Sequence, residues 1–320
     1  MPHDPYRAAG PGRRAFALGA AGLLTAACSG GGGRTSPAAP SPSGLPRTSV
    51  WRPDPSDVRP AVKERAVRLV EALGAWRPGG GGAAGARERV AALGLGPALV
   101  AQAGGLLPGA EEAALQVDIA QYGGILADAA SVLVVCRQWT RGAGGPVAAG
   151  GTTVDVRLER AAPDWSVSAL RPAAPGPAAA SLPEDARKVL ADPRIRLPVA
   201  AAADVRSGAV HAGVLRAMLR LAERYRMDVS VVRSGHPLDV FGTDRPSDHP
   251  RGRAFDVWRI DGAAVVDRAT PRPLIERFIR DAAAAGSYNV GGPVLLEGGA
   301  AGQFFSDDTH HDHVHLGFTA

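Results

Sequence analysis

Two short segments near the C-terminal end of this 320-residue chain contain six of its eight histidines. They are SGHPLDVFGTDRPSDHPRGRAFDVW at 234–258 and DDTHHDHVHLGF at 307–318. A catalytic zinc ion is held by three imidazole or carboxylate ligands and keeps one position open for water. These segments supply such a set only if the fold brings them together, so their pairing constrains the fold more than any other feature of the sequence.

The spacing within the two segments suits a metal site. His249, Asp256 and His315 supply the three ligands that a catalytic zinc requires. Gly252 permits a tight turn after His249, and AFDVW then forms a strand that carries Asp256 back towards the metal. Alternation along a second strand places His313 and His315 on one face, so that both point into the same cleft.

Asp312 lies three residues before His315, within reach of a metal-bound water. A carboxylate there can take the proton of that water, whose pKa zinc lowers to about 7, and deliver it to a leaving amine. The alternative is an incidental histidine-rich tail that binds metal without a function. The matching pair of His249 and Asp256 in the other segment favours a catalytic site.

These residues resemble the zinc D-Ala-D-Ala carboxypeptidases and dipeptidases, which share a zinc core with lysostaphin-type enzymes and the hedgehog signalling domain. The resemblance covers about residues 184–320, where the pattern S-x-H-x-x-G-x-A-x-D is met at every fixed position and is followed by H-x-H. It implies an α+β fold with a central antiparallel sheet and one zinc per chain, bound by His249, Asp256 and His315. The implied activity is hydrolysis of peptide bonds near D-amino acids in peptidoglycan stem peptides, by a carboxypeptidase, dipeptidase or endopeptidase.

The resemblance also implies roles for other residues of the two segments. Asp312 stands where the family places its general base, although many members use the longer Glu. His313 would stabilise the tetrahedral intermediate or orient the water, and Ser247 would lie near the substrate backbone.

The family places an arginine after a Ser-Gly pair to hold a substrate carboxylate or the oxyanion, but here His236 and Pro237 follow that pair. Arg233, Arg245 and Arg251 are the candidates for this role. Arg233 ranks first because it ends a predicted strand. His236 itself is interpreted as a turn residue rather than a metal ligand.

Residues 1–27 are interpreted as an export signal. Arg13 and Arg14 precede an apolar run of only 13 residues, too short to span a bilayer, and Cys28 follows small residues as in a lipobox. The prediction is an exported protein, anchored by lipid at Cys28 on the outer face of the cytoplasmic membrane or in the cell wall. An ordinary cleaved signal with an accidental cysteine is the alternative. Residues 28–49 are rich in Gly, Ser and Pro and are predicted to be a flexible tether.

Residues 50–172 are predicted to form a small α+β domain. Apolar residues recur at helical spacing behind Pro60, a second short helix is predicted at 87–92, and four strand-like runs follow. The order resembles the cone-shaped fold of nuclear-transport-factor-like domains. Cys136, in the apolar run SVLVVCRQW, is predicted to be a buried core residue. No histidine lies in this stretch, so we expect it to serve binding, spacing or protein contacts rather than chemistry.

Residues 173–183, rich in Pro and Ala, are predicted to link this domain to a second α+β domain at 184–320, which begins with helical and strand-like patterns. The net charge of +5 is spread along the chain without a basic stripe, which argues against nucleic-acid binding. Two further hypotheses stand beside the peptidase. One is a non-catalytic zinc-containing protein that binds the cell wall, and the other is a lipoprotein whose N-terminal domain carries the main role.

Overall fold

The computed structural model of the protein describes residues 44–161 and 164–319 and is of mixed α+β type. The predicted signal peptide, Cys28 and most of the predicted tether lie outside the described residues. Within the described residues, no helix has both the length and the apolar character needed to cross a membrane.

The first half of the described chain is a four-stranded antiparallel sheet with helices on one face. Its strands pair in chain order as β1 (Glu112–Ile125), β2 (Ala129–Arg141), β3 (Val147–Ala161) and β4 (Asp164–Pro172). Helix α1 (Pro60–Gly74) has Pro60 in its first turn, where the missing N–H costs nothing, and α2 (Gly82–Ala92) begins five residues before the predicted Arg87. Two short 3-10 helices, Pro97–Gln102 and Gly104–Leu106, lead into β1. The predicted helices and all four predicted strands are therefore confirmed.

The core of this half lies between α1 and the sheet. Val70 and Leu73 of α1 pack with Tyr122 and Val132 of the sheet, and each of these side chains is fully buried. Cys136 is 1% exposed in the same core, which confirms its predicted burial.

A bulge in β1 changes which side chains face this core. Leu115 and Val117 point into the core, but the pairing with β2 shifts between Val117 and Ile119, and afterwards Ala120 and Tyr122 point into it. Gln121 is thereby turned to the opposite face of the sheet, where it is also completely buried.

The second half is built on a mixed sheet. Its strands are β5 (Ile195–Arg196), β6 (Met227–Val231), β7 (Ala254–Ile260), β8 (Ala263–Ala264), β9 (Asn289–Gly291), β10 (Phe304–Phe305) and β11 (Val314–Gly317). They lie in the order β10-β9-β11-β7-β6-β5, with β8 paired to β7. The central pairs β9-β11, β11-β7 and β7-β6 are antiparallel, as predicted, whereas the outer strands β10 and β5 pair in parallel. The helices are α3 (Glu184–Ala191), α4 (Val199–Arg206), α5 (Ala212–Ala222) and α6 (Arg272–Ala284).

The described residues group into one compact unit that holds two separate hydrophobic cores, one formed by residues between Val62 and Leu170 and one by residues between Ala186 and Phe318. The cores coincide with the predicted domains at 50–172 and 184–320, although the division into two domains stays a prediction. The predicted linker lies against both halves, because Ala173 N donates to Thr153 O and Ala179 N donates to Arg206 O.

Candidate metal centre

Neighbouring strands of the second sheet bring the three predicted metal ligands together. In the antiparallel pair of β7 and β11, Asp256 lies directly opposite His315, so both side chains project from the same face. His249 lies in the loop between β6 and β7, and its Nδ1 is 2.9 Å from the carbonyl oxygen of Val232 at the end of β6. The first ligand is thus fixed to the sheet that carries the other two.

The three ligand atoms form a nearly equilateral triangle. His249 Nε2 is 3.1 Å from Asp256 Oδ1 and 3.1 Å from His315 Nδ1, and the last two atoms are 3.0 Å apart. Atoms bound to one tetrahedral zinc at about 2.0 Å lie about 3.3 Å apart, so the triangle is close to the size that zinc requires. These residues fit a zinc ion.

Protonation also favours a cation at this position. Because the Nδ1–H of His249 donates to the Val232 carbonyl, the Nε2 lone pair is left to face the triangle. Burial lowers the pKa of His315 to about 4, so its imidazole is neutral near pH 7. Burial raises the pKa of Asp256, but the neighbouring imidazoles of His249 and His313 outweigh it and hold this pKa well below its usual value. Three electron-pair donors therefore converge, an arrangement that a metal cation stabilises.

The turn that presents His249 depends on Gly252. Its φ of 69° lies in the left-handed region, and a Cβ there would come within 2.0 Å of the Ala209 carbonyl oxygen. Ser247, predicted to lie near the substrate, is buried in the same turn. Its Oγ accepts a hydrogen bond from the His249 N–H at 3.4 Å and lies 3.4 Å from His236 Nδ1.

His313 lies beside the triangle and connects it to Asp312. Its Nε2 is 3.6 Å from Asp256 Oδ2, and its Nδ1 donates to Asp312 Oδ1 at 2.6 Å. His313 and His315 both approach Asp256, so their rings lie on the same side of that carboxylate, whereas a cleft shared by the two rings stays a prediction. Burial lowers the pKa of His313, but the carboxylates of Asp256 and Asp312 outweigh it, and the net shift is upwards.

Asp312 is buried away from the triangle, on the far edge of the His313 ring. Its Oδ2 accepts from the Tyr122 N–H at 3.1 Å and lies 2.6 Å from the Lys63 ammonium, while Oδ1 accepts from His313. Burial raises the pKa of Asp312, but Lys63 and His313 lower it further than burial raises it. Both oxygens already have partners, an arrangement that suits a carboxylate orienting an imidazole better than the predicted general base.

The arginine ranked first as a substrate-holding residue points elsewhere. The guanidinium of Arg233 donates to the Pro175 carbonyl at 3.3 Å and lies 3.8 Å from the buried carboxylate of Asp204. Among the described contacts, none joins Arg233 to the metal ligands. Its predicted role is therefore not supported by the geometry.

His236 was interpreted as a turn residue, but its side chain lies close to two of the predicted metal ligands. One of its ring nitrogens falls within 4.8 Å of the ligand atoms of His249 and Asp256. Its ring is stacked on His249, however, with centroids 4.0 Å apart and planes 19° apart. An imidazole binds a metal in its own ring plane, so two stacked rings cannot both direct a lone pair at one ion. The rings of His249 and His315, inclined by 56°, can converge on one.

A second group of possible metal ligands consists of Asp57, His311 and Asp312. The ammonium of Lys63 lies between the two carboxylates and forms a salt bridge with each. A cation, the lysine ammonium, therefore already occupies this position, and we assign no metal to it.

The edge of the site is formed by His310 and Phe305. The His310 ring is 4.7 Å from Phe305, 5.1 Å from His313 and 5.7 Å from His315, measured between centroids. Its Nδ1 lies 2.7 Å from Asp307 Oδ1. Burial raises the pKa of Asp307, but the hydrogen bond and charge of His310 bring it down to about 2. This second His–Asp pair was not predicted as part of the site.

Residues 50–172 also contribute to the site, so their interpretation as a part without chemistry is incomplete. Gln121 Nε2 donates to Asp256 Oδ2 at 2.7 Å, and Lys63 and the Tyr122 N–H contact Asp312. The burial of Lys63 could have been predicted from the sequence, because Lys63 lies on the same face of the helix as the buried Ala66 and Val70.

An open cleft of about 520 Å³ lies beside the site rather than over it. It is bounded by residues 237–243 and by strands β3 and β4, and Arg157 and Arg171 lie in its wall. None of the three predicted metal ligands lines it.

No family model matches this chain, and no match was found among curated proteins or solved structures.

Proposed function

We propose that this protein is a zinc-dependent peptidase that hydrolyses peptide bonds near D-amino acids in peptidoglycan stem peptides. The observation that carries the proposal is the triangle of His249 Nε2, Asp256 Oδ1 and His315 Nδ1, with sides of 3.0–3.1 Å. Three ligands with an open fourth position are typical of catalytic zinc sites, whereas structural sites have four protein ligands. The sequence resemblance supplies the substrate class.

Zinc at this site would polarise the scissile carbonyl and lower the pKa of a bound water to about 7. His313 lies next to the triangle and is the residue best placed to take a proton there and return it to the leaving amine. Asp312 holds the Nδ1–H of His313, so that Nε2 faces the site. This assignment gives the proton-transfer role to His313 and an orienting role to Asp312.

The proposal is tested by digesting purified muropeptides with the zinc-loaded protein and measuring the product masses. We expect products shortened at a bond next to a D-amino acid. His315→Ala removes one ligand and should abolish both bound zinc and product, whereas His211→Ala, at the start of α5, should leave both unchanged. Full zinc occupancy in His315→Ala would contradict the ligand assignment.

The burial of the site favours a second candidate, a non-catalytic zinc protein that binds the cell wall. His249 and Asp256 are completely buried and His313 is 2% exposed, so access for a peptide is restricted. The position of Arg233, beside Asp204 and away from the proposed ligands, also favours this candidate. Fully bound zinc with no cleavage of any muropeptide, together with retention on purified peptidoglycan, would support this candidate over the peptidase.

Export and lipid anchoring at Cys28 belong to the same proposal. They rest on the sequence of residues 1–49 alone. A lipid-anchored protein with a tether could reach peptidoglycan from the membrane surface.

A further inference from the structure

Gln121 joins the first sheet to the metal ligands. It lies in β1, and its Nε2 donates to Asp256 Oδ2 at 2.7 Å. The other carboxylate oxygen, Oδ1, is the one that faces His249 and His315. The Gln121 amide, from the N-terminal half, therefore binds Oδ2 of Asp256, the carboxylate oxygen that is not part of the triangle.

The same amide has an unpartnered oxygen. Gln121 is 0% exposed, and its Oε1 accepts no hydrogen bond from the described residues. A buried acceptor without a partner destabilises a fold, and an apolar side chain of similar length would fill the space without that cost. The position of Gln121 is thus better explained by the hydrogen bond that its Nε2 donates than by packing.

A carboxylate ligand can bind zinc through one oxygen or through both. If Asp256 bound through both, its second oxygen would take up coordination space that the proposed reaction needs for water. The hydrogen bond from Gln121 Nε2 opposes this, because it withdraws electron density from Oδ2 and holds the carboxylate with Oδ1 towards His249 and His315. Partners that orient ligands in this way commonly change metal affinity by about 10- to 100-fold when removed.

We infer that Gln121 is a positioning residue of the metal centre, which holds Asp256 as a one-oxygen ligand and so keeps the fourth zinc position open. The inference rests on the proposed zinc site but not on peptide hydrolysis. A positioning role of Gln121 means that the N-terminal half contributes to metal binding.

The test compares Gln121→Met with Gln138→Met in the full-length chain. Gln138 is the matched control, since it is a buried glutamine of the same sheet whose amide donates only to the Gly74 and Leu106 carbonyls. Zinc affinity is measured by competition with a chelator, and the melting temperature without zinc is recorded for each variant. We expect about 10- to 100-fold weaker zinc binding in Gln121→Met and unchanged affinity in Gln138→Met.

Cobalt substitution supplies a readout that a purely structural role would not change. Four-coordinate Co²⁺ absorbs visible light more strongly than five-coordinate Co²⁺, so a two-oxygen Asp256 in Gln121→Met should weaken the absorption. Wild-type affinity and an unchanged cobalt spectrum in Gln121→Met would overturn the inference, even if the melting temperature fell. Weaker zinc binding in a protein that cleaves no muropeptide would support the inference and count against the proposed peptidase.

Discussion

The carboxylate of Asp312 has a separate partner for each oxygen. His313 donates to Oδ1, and Oδ2 faces the Lys63 ammonium and the Tyr122 N–H. A carboxylate so engaged fixes the tautomer and orientation of the imidazole that it contacts. In the proposed reaction, Asp312 and His313 therefore act as one unit.

We predict that Asp312→Asn retains zinc, because all three ligands remain, but lowers peptide hydrolysis by about 100-fold or more. His313→Gln should give a similar loss, and the double variant should lose little beyond either single variant, since residues that act as a unit have non-additive effects. Asp308→Asn, an exposed neighbour, serves as the control. Rates are measured on muropeptides. Losses that multiply in the double variant would show that the two residues act independently.

The three proposed metal ligands were predictable as candidates because the sequence motif contains them, whereas the partners of these side chains were not. Gln121 follows a regular alternation with Leu115 and Val117 in the sequence, which places it in the core of the first half. The bulge after Val117 turns Gln121 to the other face of the sheet, and no local residue pattern predicts that bulge. Similarly, the stacking of His236 on His249 depends on how a long loop closes.

At the scale of elements, the ends of α1 and β1 meet the loops of the second half. Residues 123 and 124 of β1 are both glycines, and a Cβ at Gly124 would come within 2.1 Å of the Phe241 side chain. The Ile125 N–H donates to Thr309 Oγ1 at 3.2 Å. These close approaches hold the loops at 236–243 and 307–313 against the first sheet.

The buried cluster of Lys63, Asp57 and Asp312 is part of this contact. The side chains are at most 3% exposed, so water does not screen their charges. Removing one partner of such a group leaves a buried charge without compensation.

We predict that Lys63→Met destabilises the protein by about 3–5 kcal/mol, because two buried carboxylates then lack their cation. Arg68→Met, in the same helix, breaks a pair with Glu64 that is largely exposed and should cost at most about 1 kcal/mol. Denaturant unfolding of both variants makes the comparison. Equal losses would mean that the buried cluster contributes no more than a surface pair.

The elements with clear periodicity were the predictable ones. α1 and the four strands of the first sheet carry regular apolar patterns, and the structure has them in the predicted order. α4 has the sequence VAAAADVR, whose run of alanines shows no stripe of larger side chains. α6 was not predicted, yet Ile275, Phe278, Ile279 and Ala282 form a stripe that indicates a helix.

At the scale of the whole molecule, the hydrophobic cores are separate for the two halves, but the candidate site is built from both halves. Each half has its own hydrophobic core. The proposed metal ligands all belong to the second half, but Gln121, Lys63 and the Tyr122 N–H, which contact Asp256 and Asp312, come from the first. We therefore expect the second half to fold by itself but to hold zinc less well.

We predict that residues 184–320 expressed alone are folded and bind zinc at least about 10-fold more weakly than residues 44–320, because the hydrogen bond from Gln121 to Asp256 is lost. Circular dichroism checks the fold, and chelator competition measures the affinity. Adding residues 44–183 as a separate chain should restore part of the affinity, and the same addition with Gln121→Met should restore less. Equal affinity in the isolated fragment would mean that the second half forms a complete site, and the role of the first half would then lie in binding a partner or in spacing.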